Sequence, residues 1–74
     1  MKNLKIRINN EQHSEAVQRR LFEMGCKGWF SGGKIVQYKE KEYLYVYESG
    51  HISYGDNESY FNEHEHTEVT LEQL

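Results

Sequence analysis

The sequence predicts an α+β domain in which one helix packs on one face of a small antiparallel sheet of about four to five strands. Three observations support this class. A short alternating segment comes first, a single segment of helical periodicity follows, and the rest of the chain is rich in β-branched and aromatic residues separated by turn formers. Strands collected mostly after one helix favour the order β-α-β-β-β-β along the chain.

The first two elements are predicted from periodicity. Leu4 to Ile8 alternates apolar and charged residues, which is typical of a strand with one buried face. The helix is predicted over 14–24, because Val17, Leu21 and Met24 recur at helical spacing after Asn9, Asn10 and Ser14, which supply turn and N-cap chemistry. Gly25 follows as a residue that can end a helix in the left-handed conformation.

The remainder of the chain is predicted to be mostly β. Each segment is bounded by turn-forming residues. The predicted elements are strands at Ile35–Tyr38, Tyr43–Tyr47 and Ile52–Tyr54, a short helical turn capped by Asp56 and running through Tyr60 and Phe61, and a last strand at Glu68–Leu71.

The hairpin between the second and third of these strands has two possible registers. A three-residue loop with Gly50 in the left-handed bulge position places Val46 opposite Ile52 and Leu44 opposite Tyr54. A two-residue loop would put aliphatic and polar side chains on the same face. We expect the first register, because it separates an aliphatic face from a tyrosine face.

The stretch GWFSGGKI, residues 28–35, resembles a phosphate-binding loop with Gly33 and Lys34 in place. Such a loop opens a helix and continues with Ser or Thr, whose hydroxyl reaches the magnesium ion. Here Ile35 follows the lysine, and strand-like residues follow it. We therefore predict a two-residue hairpin turn at Gly32-Gly33, between Trp29-Phe30 and Ile35-Val36, with Lys34 still free to touch an anion.

The aromatic residues are the most informative candidates for a binding site. Six Tyr, three Phe and one Trp occur in 74 residues. A helix that covers only one side of the sheet would leave the tyrosine face exposed, and exposed aromatic patches usually mark contact. The alternative is ordinary cross-strand pairing. The predicted partner- or ligand-binding residues are Trp29, Lys34, Tyr43, Tyr45 and Tyr47.

Charge is divided along the chain. Residues 1–39 carry eight Lys or Arg and three Glu, a net charge of +5, whereas residues 40–74 carry one Lys and nine Asp or Glu, a net charge of −8. This asymmetry is compatible with a basic binding patch, with an acidic mimic of nucleic acid, or with two halves that neutralise each other.

Neither a catalytic nor a metal site is predicted. His64 and His66 would point the same way on a strand and could share a metal ion, but two histidines need further ligands, and an exposed acidic loop is the preferred interpretation. Cys26, the single cysteine, is expected to be a small core residue rather than a nucleophile. We therefore expect no enzymatic activity and no cofactor.

Composition indicates a single domain, 1–74, in the cytoplasm. No proline, repeat or low-complexity linker divides the chain. One cysteine excludes an intrachain disulfide, and neither a signal-peptide core nor a membrane-spanning segment is predicted, so no membrane partner is expected.

The sequence resembles small accessory proteins of large tailed bacteriophages that act in host takeover or against host defence. The group has no established reaction or site residues, so the resemblance implies context only. It spans residues 13 to 71 and is carried by His13-Ser14, Val17-Gln18, Leu21-Phe22, Gly25, Trp29, Tyr43-Leu44-Tyr45-Val46, Gly50-His51-Ile52, Tyr54-Gly55, Tyr60-Phe61-Asn62-Glu63-His64 and Glu68-Val69-Thr70-Leu71.

Together these features predict a non-enzymatic phage accessory protein that binds and inhibits a host defence or metabolic protein in the host cytoplasm, and that forms a homo-oligomer. Two alternatives stay open. One is a sponge for a nucleotide immune signal, with tyrosine rings stacked on bases and Lys34 or an arginine on phosphates. The other is an acidic nucleic-acid mimic that uses the negative half of the chain.

Overall fold

The structure, a computed structural model that describes residues 1–74, has the predicted α+β class. Five strands form one sheet with the 13-residue helix on one face and a six-residue helix on the other. The elements are β1 Leu4–Arg7, α1 Glu11–Glu23, β2 Gly28–Trp29, β3 Tyr43–Val46, β4 His51–Gly55, α2 Glu58–Glu63, β5 Thr67–Glu68 and a final 3-10 helix Leu71–Gln73.

The sheet is mixed, with the strand order β2-β4-β3-β1-β5. Only β3 runs against its neighbours; the edge strands β2 and β5 lie parallel to β4 and β1. The predicted antiparallel arrangement therefore holds for the centre of the sheet alone. The reason is connectivity: β1-α1-β2 and β4-α2-β5 are helical crossovers, and a crossover returns the chain in the same direction.

The β3–β4 hairpin has the expected register. Val46 lies opposite Ile52 and Leu44 opposite Tyr54, and Gly50 has a φ of +92°, which confirms the left-handed loop position. The aliphatic face packs beneath α1. Its buried core consists of Leu4, Ile6, Val17, Leu21, Cys26, Trp29, Leu44, Val46 and Ile52.

Helix α1 begins three residues earlier than predicted, at Glu11, because Asn10 rather than Ser14 is its N-cap. The Asn10 side chain accepts a hydrogen bond from the backbone N–H of His13 at 2.8 Å. Ser14 lies inside the helix and is buried. The end of the helix is as predicted, with Gly25 at a φ of +102° directly after the C-cap Met24.

The prediction of a strand at Ile35–Tyr38 is wrong. The second strand along the chain is instead the short β2 at Gly28–Trp29. The Gln37 backbone is instead paired by a helix side chain: Gln18 Nε2 donates to the Gln37 carbonyl at 2.7 Å, and Gln18 Oε1 accepts from the Gln37 N–H at 3.0 Å. Gln18 also donates to Ser14 Oγ. Tyr38, at a φ of +57°, then turns the chain out of an extended conformation.

The predicted Gly32-Gly33 hairpin turn is also wrong. The loop folds back on Trp29 itself, which donates its N–H to the Gly33 carbonyl at 3.0 Å and accepts from the Gly32 N–H at 2.9 Å. This path brings the Gly33 carbonyl against Gly28, where a Cβ would collide with the carbonyl oxygen. Gly28 thus closes a backbone loop, and no helix follows Lys34 to complete a phosphate site.

Two C-terminal details differ from expectation. Asn57, not Asp56, caps α2 by accepting from the Tyr60 N–H at 2.8 Å. Asp56 accepts from the Glu42 N–H and pairs with Lys41. The last strand is Thr67–Glu68, and Leu71 already begins the 3-10 helix.

Substitution of Gln18 by Met should lower the free energy of unfolding by about 2 kcal/mol, because the buried backbone groups of Gln37 lose both partners. Urea denaturation measures the loss, and hydrogen exchange should accelerate at the Gln37 amide. Gln12→Met, at an exposed position of the same helix, is the control and should be nearly neutral. Equal stability of the two variants would contradict this role for Gln18.

Gly28→Ala and Gly32→Ala form a matched pair, since both glycines have a positive φ of +123° and +110°. An added Cβ at Gly32 meets nothing within 4 Å. We expect Gly32→Ala to cost about 1 kcal/mol for conformation alone, and Gly28→Ala to cost about 3 kcal/mol because the collision adds to it. Thermal or urea unfolding that ranks them in the reverse order would refute the close approach.

Candidate functional site

The tyrosines of β3 occupy the sheet face opposite the aliphatic core, as the alternation predicts. Tyr43 and Tyr45 form a second buried cluster with Phe61 of α2, and Tyr47 packs against its edge. The more exposed residues of this face lie beside this buried cluster.

The expected exposure of all three rings is wrong for two of them. Tyr43 is 4% and Tyr45 2% exposed, because α2 folds back over this face after β4. The Phe61 ring stacks on Tyr43 with centroids 4.5 Å apart. Tyr47 is half-buried and is the only one of the three that reaches the surface.

Lys5 fastens α2 to the sheet. Its side chain projects from β1 among the tyrosines and is 7% exposed. The ammonium donates to the carbonyl of Phe61 and, at 3.0 Å, to that of His64, and it lies 4.7 Å from the centroid of the Phe61 ring. A cation at the C-terminal end of a helix also interacts favourably with the helix dipole.

A row of one exposed and two half-buried rings lies beside this buried cluster, and we call Phe30, Tyr47 and His51 the aromatic strip. The Phe30 ring stacks on His51 with centroids 5.0 Å apart and meets Tyr47 edge-on at 5.1 Å. Phe30 is 56% exposed. Offset and edge-on pairs of this kind hold rings in fixed positions, so the strip is a preformed apolar surface.

Two histidines continue the row of rings across the face. The Tyr47 ring lies 4.7 Å from His66, His66 lies 4.2 Å from His64, and His64 lies 4.9 Å from Tyr60. Tyr60 is 52% exposed. An open depression of about 580 Å³ adjoins the histidines and is lined by Asn3, Tyr60, Glu63, His64, Glu65 and His66.

The surroundings of the strip are acidic. Of the nine acids in residues 40–74, only Asp56 and Glu68 form salt bridges. The pair Arg7–Glu68 is the only salt bridge that joins the basic and acidic halves of the chain. Glu48 follows Tyr47, and Glu63 and Glu65 line the depression beside the two histidines; all three are exposed and unpaired, so direct neutralisation between the halves is slight.

The other two predicted site residues lie elsewhere. Trp29 is buried on the α1 face, where it packs edge-on against Tyr38 and donates its Nε1–H to the Ile35 carbonyl at 2.9 Å. Lys34 is exposed on the following loop and forms no salt bridge. The structure therefore does not bring Trp29 or Lys34 together with the tyrosines.

Phe30, His51 and Tyr60 were not predicted as site residues. Phe30 follows Trp29 along an extended segment and therefore points to the opposite face, a signal that alternation alone could have given. The positions of His51 and Tyr60 depend on the hairpin register and on where α2 docks.

The titratable side chains form no metal-binding cluster, and the Cys26 thiol and the Tyr45 hydroxyl are buried. No group of three His, Cys, Asp or Glu side chains is arranged to hold a metal ion. Burial raises the pKa of the Cys26 thiol, against smaller opposing effects of Lys34 and the N-terminus. Burial likewise raises the pKa of Tyr45 to about 12, so both groups stay protonated at neutral pH.

Comparison of the chain with protein families, curated proteins and solved structures finds no match. None of the helices has the length and apolar character needed to cross a membrane.

Replacement of Lys5 by Met should loosen α2, because the carbonyls of Phe61 and His64 lose their charged donor. We expect a loss of about 1–3 kcal/mol in the free energy of unfolding and faster hydrogen exchange in α2. Lys2→Met, at an exposed position just before the same strand, is the control. A Lys5→Met protein with unchanged exchange in α2 would show that the ammonium does not fasten the helix.

Proposed function

We propose that this protein is a non-enzymatic accessory protein that binds and inhibits a host protein, in the phage context that its sequence resemblance implies. The aromatic strip is the proposed centre of contact. Interfaces commonly place aromatic anchors at their centre and polar groups at their rim. The proposal rests on one observation: the exposed Phe30 ring packs between Tyr47 and His51, and unpaired acids lie on the same face.

The expected partner surface is basic. Glu48, Glu63 and Glu65 have no basic neighbour within the chain to neutralise them, so a surface rich in Lys or Arg complements them. Cationic side chains also interact favourably with the faces of aromatic rings. Lys27 is an exposed base beside Gly50, the residue before His51 of the strip, and marks one limit of the acidic border.

The nucleotide-sponge alternative is less well supported than at the sequence level. Two of its three tyrosine rings are buried with Phe61 of α2, and Lys34 lies on the loop beside Gly28. Phosphates would also meet the unpaired carboxylates around the strip. Calorimetric titration with cyclic and ADP-ribose-type nucleotides tests this alternative directly.

A second copy of the chain is the competing occupant of the strip, since we also expect a homo-oligomer. Light scattering of the wild-type protein and of Phe30→Ser separates the two uses of the surface. A dimer that Phe30→Ser converts to a monomer would assign the strip to self-association.

Phe30→Ser should weaken binding of the host partner at least about 30-fold, the effect of losing a central anchor worth about 2 kcal/mol. The measurement is affinity for the partner captured from host lysate, with Ile35→Ser as the matched control. Ile35 is equally apolar and exposed but lies outside the strip. Binding should also weaken with added salt, because the acidic border contributes by charge.

Equal loss of binding in Phe30→Ser and Ile35→Ser would contradict the proposed contact. Full retention in both would place the interface on another surface. Competition of DNA for the captured partner would instead support the nucleic-acid mimic.

A further inference from the structure

The segment His64–His66 covers the tyrosine face between α2 and β5. Its two imidazoles lie against Tyr45 and Tyr47: His64 is 4.9 Å from Tyr45, and His66 is 4.7 Å from Tyr47, measured between ring centroids. The short segment is anchored at both ends. The His64 N–H donates to the Tyr60 carbonyl at 2.9 Å, and the Thr67 N–H donates to the Asn3 carbonyl at 3.1 Å.

Three polar atoms in this cluster are enclosed without a hydrogen-bond partner: Tyr45 Oη, His64 Nε2 and His66 Nε2. An unpartnered neutral group already costs free energy when it is buried, and a charged one costs much more. The packing therefore favours neutral imidazoles.

No carboxylate forms an ion pair with either ring in the closed form. The two rings are only 4.2 Å apart, so a charge on one opposes a charge on the other. The Lys5 ammonium, bound to the His64 carbonyl, adds a further positive charge beside the pair. The titratable groups facing the pair are Lys5 from β1, Tyr45 and Tyr47 from β3, Tyr60 and Glu63 from α2, and Glu65 between the histidines.

We propose that the segment His64–His66 is a pH-operated latch, in which protonation of His66 in mildly acidic solution releases the segment from the sheet and uncovers Tyr45. The opened segment places the charged His66 imidazole in water, near the exposed carboxylates of Glu63 and Glu65. This inference goes beyond the proposed function and does not depend on the identity of any partner.

The direction of the pH dependence follows from linkage. Burial, then His64, then Lys5 lower the pKa of His66 in the closed form. In the open form the imidazole regains an ordinary pKa of about 6.5. The open form thus binds more protons, so the closed form is fully favoured above about pH 6.5 and loses its advantage as the pH falls towards the lowered pKa.

The test is amide hydrogen exchange between pH 7.5 and pH 5, corrected for the intrinsic exchange rate. Protection at His64 and Thr67 should fall relative to that at Ile8 as the pH is lowered, because the open form binds more protons than the closed form. The Ile8 amide donates to the Glu42 carbonyl at the opposite end of the β1–β3 ladder and is the internal reference.

Variants decide whether the histidines cause the change. The double variant His64→Gln and His66→Gln has no imidazole in the segment, so amide protection there should stay constant between pH 7.5 and pH 5. His13→Gln, the control in α1 on the opposite face of the sheet, should behave like the wild type. Constant protection in the wild type, or a loss in the double variant equal to that of the wild type, would overturn the latch.

A second measurement covers the case in which the double variant does not fold. In the wild type, the NMR signals of the His66 and Tyr45 rings are followed over the same range. The latch requires His66 to titrate below pH 6.5 together with a change in the Tyr45 signals. Titration of His66 without any response from Tyr45 would overturn it.

Discussion

A single buried ammonium determines how the second face of the sheet is closed. Lys5 stands in β1 among tyrosine rings, where burying an unpaired cation would cost several kcal/mol. Two carbonyls at the C-terminal end of α2 and the face of Phe61 supply the only partners that it has. The cation and the helix therefore stabilise each other: without α2 the ammonium would have to leave the face, and without the ammonium the end of the short helix would lose its charged donor.

The size of α2 then decides which residues remain at the surface. Six residues cover Tyr43 and Tyr45 but do not reach the half of the face that borders β2. Phe30 stays exposed there, and His51 and Tyr47 are half-buried. The candidate site is thus the uncovered remainder of a face whose other half is core, which explains why an exposed ring such as Phe30 has aromatic neighbours on two sides.

Local patterns in the sequence were sufficient for the elements whose partners are close along the chain. The hairpin register, the end of α1 at Gly25 and the alternation of Leu44 and Val46 with tyrosines all followed from short-range signals. The predictions were wrong where a side chain far away in the sequence pairs the backbone in place of a neighbouring strand, or is buried where the pattern indicates contact with water. Gln18 pairs the backbone that would otherwise form a strand at Ile35–Tyr38. Lys5 occupies a charged position of an alternating pattern, which ordinarily indicates a side chain in water.

Tyr47 connects the two parts of the face. Its ring meets Phe30 of the aromatic strip edge-on at 5.1 Å and His66 of the latch edge-on at 4.7 Å. Release of His66 would remove one of these two ring contacts of Tyr47. The Tyr47 ring would then be more mobile, and so would the Phe30 ring that packs against it. Rings that depend on each other in this way move together, because a close-packed contact cannot be lost on one side without adjustment on the other. Protonation of His66 would therefore alter the aromatic strip as well as uncover Tyr45, through direct contact and without any change in the β3–β4 hairpin.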